Sequence, residues 1–318
     1  MNSEKKKVRV GVIGAGYFGN FHLKHYSLMG EVKIEGVVDV VKNRAQEVAY
    51  RYNIPAYDNP LKIIDKVDAV SIVVPTKKHY ELAKEFLSCH VDVLIEKPMT
   101  ETIEEAKELT EIAKKNGCLL QVGHLERFNP AFTRIKDQIK KPVFIEAHRL
   151  SSFVERGIDV DVILDLMIHD LDLILYMVKS KVKTVHSVGI PILTPNIDIA
   201  NVRIEFYDGC VANVTASRIS QKTMRKIRIF QSDAYFSLDF SSKEAIVIKK
   251  ESPSNSKGYP EIKAYPYPSY NQSSLKEELT FFIKSVINKT PPLVTGEDGI
   301  KVLKIVKEIT SHFKVPSI

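Results

Sequence analysis

A glycine-rich turn near the start of the chain places the strongest constraint on what it can fold into. An apolar run over residues 8–13 leads directly to Gly14, Gly16 and Gly19. With no Cβ, Gly14 permits a tight turn, Gly16 lets the backbone approach a pyrophosphate, and Gly19 lets a helix pack closely on its strand. A helix that begins here offers its first amide groups to phosphate oxygens. The pattern predicts a strand, a turn and a helix that together bind a dinucleotide.

An acidic residue follows at the distance that suits the ribose of such a ligand. The next apolar run, residues 32–38, ends at Asp39, which stands about twenty residues after the last glycine. A carboxylate there accepts from both ribose hydroxyls and repels a 2′-phosphate, which favours NAD over NADP. Arg44 lies five residues further on and is either a phosphate ligand or, more commonly for a helix residue, a solvated side chain. We predict NAD as the cofactor, with an ordinary βαβ turn and a surface Asp39 as the alternative.

The first part of the chain alternates strands with helices. Residues 68–74 and 91–95 are predominantly apolar and of strand length, which is typical of buried parallel strands. The Thr102-x-x-Glu105 pattern marks the start of a helix that Gly117 ends. Further helices are predicted over residues 43–52, around 60–64 and over 81–89, and a last strand over 118–122. Residues 1–122 are therefore predicted to form an α/β domain of the Rossmann type, with a doubly wound parallel sheet.

Ligands of an open α/β sheet bind beside the carboxyl ends of its strands, and two predicted strands end in residues of suitable chemistry. Pro75, Thr76 and His79 follow one of these strands, and Glu96 and Lys97 follow the next. A helix-capping role for His79 and a surface role for Lys97 are equally open. The residues predicted to contact the cofactor are Gly14, Gly16, Tyr17, Phe18, Gly19, Asp39, Pro75, Thr76, His79, Glu96 and Lys97.

From Gly123 onward the alternation of strands and helices stops. One apolar helix is followed by a series of strands, two of which are joined by Asp208-Gly209, a typical two-residue hairpin turn. The predicted strands cover residues 182–192, 200–207, 211–219, 225–231, 235–240 and 245–249, followed by a loop over 252–274 and closing helices over 275–288 and 298–313. Residues 123–318 are predicted to form an α+β domain for substrate binding and oligomerisation. Its large sheet is mostly antiparallel and open-faced, its closing helices return to the first domain, and a partner subunit covers its open face.

The most informative helix spans residues 161–172. Asp161, Asp165, His169 and Asp172 recur at helical spacing on one face, whereas the other faces are apolar, which predicts a buried helix whose polar stripe faces polar groups. Charges are rarely buried unless they are paired or used in chemistry. Asp and His one turn apart can ligate a metal, but no third ligand is evident and we predict none. Acid–base chemistry is favoured, with His169 titrating near neutrality and Asp165 orienting its ring.

Charge and hydropathy exclude several classes of function. The net charge is +7, but the lysines are spread through amphipathic helices and no nucleic-acid-binding motif is present, so we predict no nucleic-acid partner. A positive net charge is also expected of an enzyme whose small-molecule substrate carries phosphates. No apolar run approaches the roughly twenty residues that span a bilayer, and the chain begins without a signal-type apolar core. We expect a cytoplasmic protein with no membrane partner.

Three spaced motifs together resemble the glucose-fructose oxidoreductase/inositol dehydrogenase (Gfo/Idh/MocA) family. They are Gly14-x-Gly-x-x-Gly19, Glu96-Lys97-Pro98 and Asp165-x-x-x-His169, and the resemblance covers nearly the whole chain. It implies a Rossmann domain followed by an open-faced α/β domain that forms homodimers or homotetramers. It also implies that Lys97, Asp165 and His169 are catalytic and surround a substrate hydroxyl beside the nicotinamide. The chain departs from the family by having residues 159–164 in place of a glycine cluster ahead of Asp165.

Residues 124–130, 165–172 and 216–218 are similar to a bacterial branch of this family that acts on UDP-N-acetylglucosamine. The similarity implies NAD-dependent oxidation of the C3 hydroxyl to a ketone, before amination on the way to a modified lipid A. The residues it implies at the substrate are His124, Arg127, Asn129, Arg149 and Arg218, and Arg225 is also available for a diphosphate.

Three other functions remain open on the same residues. The first is dehydrogenation of inositol or another sugar. The second is a non-catalytic regulator that senses NAD and a sugar, which has no need for Lys97, Asp165 and His169. The third is an enzyme that recycles its bound NAD during glycoside cleavage, which would release no stoichiometric NADH.

Overall fold

The computed structural model describes residues 7–155, 160–254 and 260–313, with backbone alone at 252–254. Asp159, which precedes the predicted catalytic residues Asp165 and His169, lies outside the described residues. The chain divides into two compact units. The first comprises Met1–Leu125 and Ser273–Leu303, and the second comprises Glu126–Gln272 and Lys304–Ile318. No helix in the described ranges is both long enough and apolar enough to cross a membrane.

Fourteen strands and eight α-helices are numbered here in chain order. The strands are β1 (Val8–Ile13), β2 (Val32–Val38), β3 (Ala56–Tyr57), β4 (Ala69–Ile72), β5 (Asp92–Glu96), β6 (Leu120–Gly123), β7 (Phe144–Leu150), β8 (Val182–Ile190), β9 (Ile199–Phe206), β10 (Val211–Ser217), β11 (Met224–Phe230), β12 (Ala234–Asp239), β13 (Glu244–Ser254) and β14 (Pro260–Tyr267). The helices are α1 (Tyr17–Tyr26), α2 (Lys42–Tyr52), α3 (His79–Ser88), α4 (Ile103–Asn116), α5 (Pro130–Thr133), α6 (Ile168–Met177), α7 (Ser274–Asn288) and α8 (Gly296–Ser311).

The first unit contains a six-stranded sheet in the order β3-β2-β1-β4-β5-β6. All of its strand pairs are parallel. This order reverses direction between β1 and β4, which is the point where doubly wound sheets bind ligands at the carboxyl ends of their strands. The predicted doubly wound parallel sheet is confirmed.

Of the helices predicted in the first unit, the boundaries of α4 are confirmed and the helix around residues 60–64 is wrong. Thr102 and Glu105 form the reciprocal capping box of α4, and Gly117 adopts the left-handed conformation that ends it, with φ of 63°. The predicted helix is replaced by two 3₁₀ turns, Pro60–Lys62 and Ile64–Lys66.

The second unit contains an eight-stranded sheet in the order β14-β13-β12-β11-β7-β10-β9-β8. Only β7 and β10 pair in parallel, so the predicted mostly antiparallel sheet is confirmed. The loop predicted over residues 252–274 is wrong for β14, which pairs with β13 as an edge strand. The prolines and serines of residues 252–274 suggested a loop. An edge strand such as β14 nevertheless accepts proline, because one side of its backbone pairs with no other strand.

Helix α7 completes the core of the first unit. Leu279 and Phe282 on its buried face pack into the same cluster as Val10 and Val12 of β1 and Leu23 of α1. The periodic apolar positions of α7 thus cover one face of the parallel sheet. Segments that are distant in sequence share this core, so its stability depends on the docking of α7.

Replacing Phe282 with alanine should lower the free energy of unfolding by about 3–5 kcal/mol, because its ring is fully buried in this core. Phe281 is the matched control on the same helix, since 36% of its surface is exposed. Phe281→Ala should cost less than about 1 kcal/mol. Denaturant unfolding followed by circular dichroism measures both, and equal losses would contradict the orientation of α7.

Candidate active site

The turn between β1 and α1 has the geometry that its glycines predict. Gly14 has a φ of +110°, and a Cβ there would collide with the carbonyl oxygen of Val73. A Cβ on Gly19 would collide with the carbonyl oxygen of Gly14. A Cβ on Gly16 would meet no atom of the described chain within 4 Å. The backbone at Gly16 is therefore accessible at the start of α1, where helix amides can bind a phosphate.

Asp39 lies at the end of β2 with only 6% of its surface exposed. Its carboxylate accepts hydrogen bonds from the backbone amides of Ala15 and Val41 at 2.9 and 2.8 Å. Arg44 donates to both oxygens, from Nε to Oδ2 at 2.9 Å and from Nη2 to Oδ1 at 2.8 Å. Burial raises the pKa of Asp39, but these donors outweigh it and hold the pKa below its ordinary value. Arg44 is thus an exposed side chain that pairs with the predicted ribose acid.

His79 connects the loops that follow β4 and β5. Its Nδ1 lies 2.9 Å from the carbonyl oxygen of Pro98, and its Nε2 lies 2.9 Å from that of Val74. The ring is buried, and burial lowers the pKa of His79 although both carbonyls and Glu96 oppose the shift. Because both nitrogens face backbone oxygens, His79 holds two loops at the edge of the sheet where the cofactor is expected, and its contact with the cofactor stays a prediction.

Glu96 is held in place beneath the backbone of Lys97. Its Oε1 lies 3.3 Å from Nε2 of His22, a fully buried residue of α1, and its Oε2 accepts from the backbone amide of Lys97 at 3.3 Å. A Cβ on Gly123 would lie 3.0 Å from Oε2, so glycine at the end of β6 leaves room for the carboxylate. Burial raises the pKa of Glu96, but His22 and Lys97 hold it below its ordinary value. Glu96 is therefore an anion that fixes the backbone next to Lys97.

His22 is a residue that the sequence interpretation missed. Its signal was present, since it follows the glycine turn on the same helix face as the buried Leu23 and Tyr26. A histidine on the apolar face of a helix commonly has a buried polar partner. The identity of that partner depends on β5, which lies far along the chain.

The other residues predicted at the cofactor lie nearer the surface of this unit. Tyr17 is 66% exposed and Phe18 is 38% exposed, with their rings edge to face and 5.8 Å between centroids. Pro75 is exposed and Thr76 is half-buried after β4. Their accessibility is compatible with cofactor contact, which stays a prediction for all four.

In the second unit, the predicted catalytic pair lies where one helix type changes into another. Asp165 belongs to a π-helical turn, Ile163–Met167, and His169 lies at the start of α6. Both residues are half-buried. The π-helical turn follows a wider path than an α-helix and recurs at functional sites. The roles of Asp165 and His169 stay predictions.

Both ends of the predicted polar stripe contact polar groups of other segments. Asp161 precedes the π-helical turn, and its Oδ1 accepts from the backbone amide of Ile197 at 2.9 Å. Asp172 is fully buried and pairs with Arg127 through two hydrogen bonds of 2.8 and 2.6 Å. The π-helical turn lies between Asp161 and His169 and changes the register of these two residues, whereas Asp172 keeps its α-helical spacing to His169 within α6.

A second buried ion pair lies two residues earlier on α6. Asp170 receives two hydrogen bonds from Arg149 of β7, each of 2.9 Å, and Arg149 also donates to Glu126 at 3.0 Å. Burial lowers the pKa of Arg149, but Asp170 and Glu126 outweigh it and raise the pKa above its ordinary value. The guanidinium thus stays charged, and each of its three nitrogens donates to a carboxylate. Asp170 and Glu126 are further residues that the sequence interpretation missed, because their partners are distant in sequence.

Four of the residues predicted at the substrate are buried and have polar partners within the chain, and their substrate contacts stay predictions. Arg127 and Arg149 are each about 3% exposed and already paired with carboxylates, so they are poorly placed to bind a diphosphate. Asn129 caps α5 and donates to Glu126 and to the carbonyl oxygen of Phe240.

Arg218 is also buried, donates to the carbonyl oxygen of Val160, and lies 3.7 Å from Asp198. His124 is buried after β6, and its substrate role stays a prediction. Arg127 and Arg149 therefore tie α6 to other segments of the second unit, and Asn129 and Arg218 contact other residues of the same unit.

The glycine turn, the buried Asp39 and the parallel sheet indicate a dinucleotide-binding domain, which is joined to an α+β unit. A family model described as an oxidoreductase family with an NAD-binding Rossmann fold matches residues 8–124. A model of the GFO/IDH/MocA C-terminal domain matches residues 139–237. The chain belongs to the GFO/IDH/MocA oxidoreductase family, and NAD is its cofactor.

Known relatives support this assignment along the whole chain. UDP-N-acetylglucosamine 3-dehydrogenase of Acidithiobacillus ferrooxidans is 34% identical, over 93% of this chain and 94% of the relative. Myo-inositol 2-dehydrogenase of Thermotoga maritima is 27% identical, over 92% of each chain. A solved structure of the A. ferrooxidans dehydrogenase has a TM-score of 0.91 at 32% identity, covering 97% of this chain and 98% of that one.

Two glycine substitutions should separate cofactor binding from folding. The Cβ of Gly16→Ala meets no neighbouring atom, so the thermal midpoint should stay near that of the wild type. The same Cβ would keep the pyrophosphate from approaching the backbone. NAD affinity should therefore fall by about tenfold, as for one lost hydrogen bond to a charged group. Gly19→Ala forces the turn against Gly14 and should lower the thermal midpoint. Calorimetric NAD titration and thermal unfolding measure the pair. A Gly16→Ala protein with unchanged NAD affinity would contradict the phosphate assignment.

Asp172→Asn should lower the free energy of unfolding by about 3–5 kcal/mol, because it leaves the buried Arg127 without its charged partner. The control in the same unit is Glu205→Gln, which breaks the exposed pair with Arg203 and should cost less than about 1 kcal/mol. Denaturant unfolding compares the two. Similar stability of both variants would return Arg127 to the set of candidate substrate ligands.

Proposed function

We propose that the protein oxidises a sugar hydroxyl to a ketone with NAD, and that its substrate is UDP-N-acetylglucosamine, oxidised at C3. The observation that carries the proposal is 34% identity to a UDP-N-acetylglucosamine 3-dehydrogenase over 93% of the chain, together with Lys97, Asp165 and His169 in the family's order. The ketone would then be aminated on the way to a modified lipid A. We assign the reaction to the cytoplasm, where NAD and nucleotide sugars are available.

In the proposed reaction, Lys97, Asp165 and His169 surround the reacting hydroxyl. His169 takes the hydroxyl proton, and the ammonium group of Lys97 stabilises the negative charge that develops on the oxygen. Asp165 orients the imidazole ring and stabilises its positive charge. NAD, held at the glycine turn and Asp39, would supply the acceptor for the hydride of the carbon that carries the hydroxyl. Exchange of the base and stabiliser roles between His169 and Lys97 gives the same products.

The first unit supports the role of Lys97 through its backbone. Lys97 directly follows β5 at the carboxyl edge of the parallel sheet, which is the edge where such sheets bind their ligands. Glu96 holds the backbone amide of Lys97, and His79 holds the following loop through Pro98. A lysine on a fixed backbone loses less conformational freedom when it contacts substrate.

Arg225 is the residue that best suits the diphosphate of a nucleotide sugar. It is exposed near the start of β11 and lies opposite Arg149 in register. Neighbouring residues of an antiparallel pair share a face, so Arg225 lies on the side of the sheet that α6 covers. Guanidinium groups bind phosphates through two parallel hydrogen bonds. A KM for UDP-N-acetylglucosamine that is unchanged in Arg225→Gln would remove this residue from the proposal.

We also propose that the protein forms a homodimer or homotetramer through the other face of this sheet. Phe144, Phe230 and Tyr235 cluster there, with centroid separations of 5.6 and 4.9 Å. Ile246 and Ile262 extend the apolar surface and are 46% and 73% exposed. An apolar sheet face of this kind is commonly covered by a second subunit. A monomer in light scattering at micromolar concentration would contradict this part of the proposal.

The substrate proposal is tested by NADH absorbance when the protein is mixed with NAD and a panel of sugars. The panel contains UDP-N-acetylglucosamine, other nucleotide sugars, myo-inositol and free hexoses. We expect NADH only with UDP-N-acetylglucosamine. A rise only with myo-inositol would favour the function of the 27% identical relative. NAD binding without NADH formation from any sugar would overturn the proposal.

His169→Ala and Lys97→Ala should each lower kcat by about two to four orders of magnitude, because each removes a group that acts on the reacting hydroxyl. NAD affinity should stay nearly unchanged in His169→Ala. The control is His186→Ala, which removes an exposed histidine of β8 and should leave kcat unchanged. Steady-state kinetics and calorimetry measure these values, and near-normal turnover in His169→Ala would exclude it from the mechanism.

A further inference from the structure

His22 is buried in the core of the first unit, one helical turn before Tyr26 on α1. Its Nε2 makes an ion-pair contact of 3.3 Å with Oε1 of Glu96, and within the described ranges its Nδ1 has no hydrogen-bond partner. A buried polar atom without such a partner lowers the stability of a fold. An apolar side chain of similar size would avoid this cost, so packing of α1 does not explain a histidine at this position.

The two carboxylate oxygens of Glu96 contact different groups. Oε1 lies against His22, and Oε2 accepts from the backbone amide of Lys97 at 3.3 Å. The last torsion of a glutamate side chain has a broad energy minimum, so the chain itself does not fix the plane of the carboxylate. A contact at one oxygen restricts this torsion and keeps the other oxygen directed at the amide. His22 therefore orients the group that holds the backbone of Lys97.

The contact between His22 and Glu96 also affects the side chain of Lys97. Although burial raises the pKa of Glu96, both His22 and Lys97 lower it, so the carboxylate interacts with the charge of the lysine as well as with the histidine. A carboxylate oxygen released from His22 would attract the ammonium group of Lys97 and form a charge-assisted hydrogen bond with it. That bond would compete with the substrate hydroxyl for the same ammonium group. By holding Oε1, His22 leaves Lys97 available to substrate.

We propose that His22 is a positioning residue for Lys97 and acts through Glu96. It holds Oε1 away from the Lys97 ammonium group and directs Oε2 to the Lys97 backbone amide. The kinetic consequence rests on the role of Lys97 in the proposed function, but not on which sugar is oxidised. Because His22 is fully buried in the first unit, it acts without touching substrate. Its loss should lower turnover and leave coenzyme binding nearly unchanged.

Steady-state kinetics of three single variants test the turnover effect. His22→Leu should lower kcat by about 10- to 100-fold, the loss expected for a misplaced reacting group, with KM for NAD within about threefold of the wild type. His22→Gln keeps an N–H donor at a similar reach and should recover most of the lost kcat. Tyr26→Phe is the matched control on the same face of α1, because it removes the buried 2.8 Å hydrogen bond to Ser71. It should lower the thermal midpoint and leave kcat unchanged.

A double variant tests whether the effect passes through the carboxylate. His22→Leu combined with Glu96→Gln should turn over no more slowly than Glu96→Gln alone, because residues that act as one unit are not additive. Independent losses that multiply in the double variant would overturn the proposal, and so would equal kcat values in His22→Leu and Tyr26→Phe.

Hydrogen–deuterium exchange separates the positioning role from the choice of substrate. Measured on the full chain without sugar, the Lys97 amide should exchange at least about tenfold faster in His22→Leu than in Tyr26→Phe, because its acceptor is no longer held. Equal exchange in the two variants would overturn the positioning role. A wild-type protein that oxidises no sugar but shows the difference in exchange would overturn the proposed function and support the position of His22 behind Lys97.

Discussion

The close approach of two backbone segments at Gly14 and Gly19 is the constraint on which the rest of the first unit depends. The carbonyl of Gly14 occupies the space that a side chain on residue 19 would need, so α1 begins against β1. That position points the amide of Ala15 at Asp39 and brings His22 to Glu96. A side chain at either glycine would therefore disturb the phosphate turn, the ribose acid and the support of Lys97 together.

The second unit depends on buried charge in a comparable way. Two arginines on separate segments, Arg127 and Arg149, each clamp one aspartate of α6. Burying a single charge costs several kcal/mol of desolvation free energy, whereas a buried pair is tolerated when its charges are joined by hydrogen bonds. These pairs determine the position and rotation of α6, and with them the position of His169 at its start. The geometry around a proposed catalytic histidine thus rests on residues that never need to touch substrate.

The sequence predicted features that local chemistry determines. The glycine turn, the position of Asp39 and the capping box of α4 each depend on short spacings, and the alternation of strands and helices indicated the doubly wound sheet. A pattern of similar length indicated the mostly antiparallel sheet of the second unit. These features are confirmed because each is specified within about twenty residues of chain.

Features that depend on distant partners could not be predicted in this way. Arg149 was interpreted as a diphosphate ligand because its partner Asp170 lies elsewhere in the sequence and only the fold brings them together. The π-helical turn at Asp165 is too short to give the sequence a hydrophobic period different from that of an α-helix. The edge strand β14 has a loop-like composition, and only its pairing with β13 identifies it. In each case a long-range contact outweighed a local preference.

The central claim is that hydride leaves C3 of UDP-N-acetylglucosamine for NAD while this chain takes the hydroxyl proton. Its most direct test is incubation of the protein and NAD with UDP-N-acetylglucosamine deuterated at C3, followed by mass spectrometry of the coenzyme and the sugar. The account predicts one deuterium in the NADH for each ketone formed at C3. NADH without deuterium, or a sugar that keeps its C3 deuterium while NADH accumulates, would contradict it.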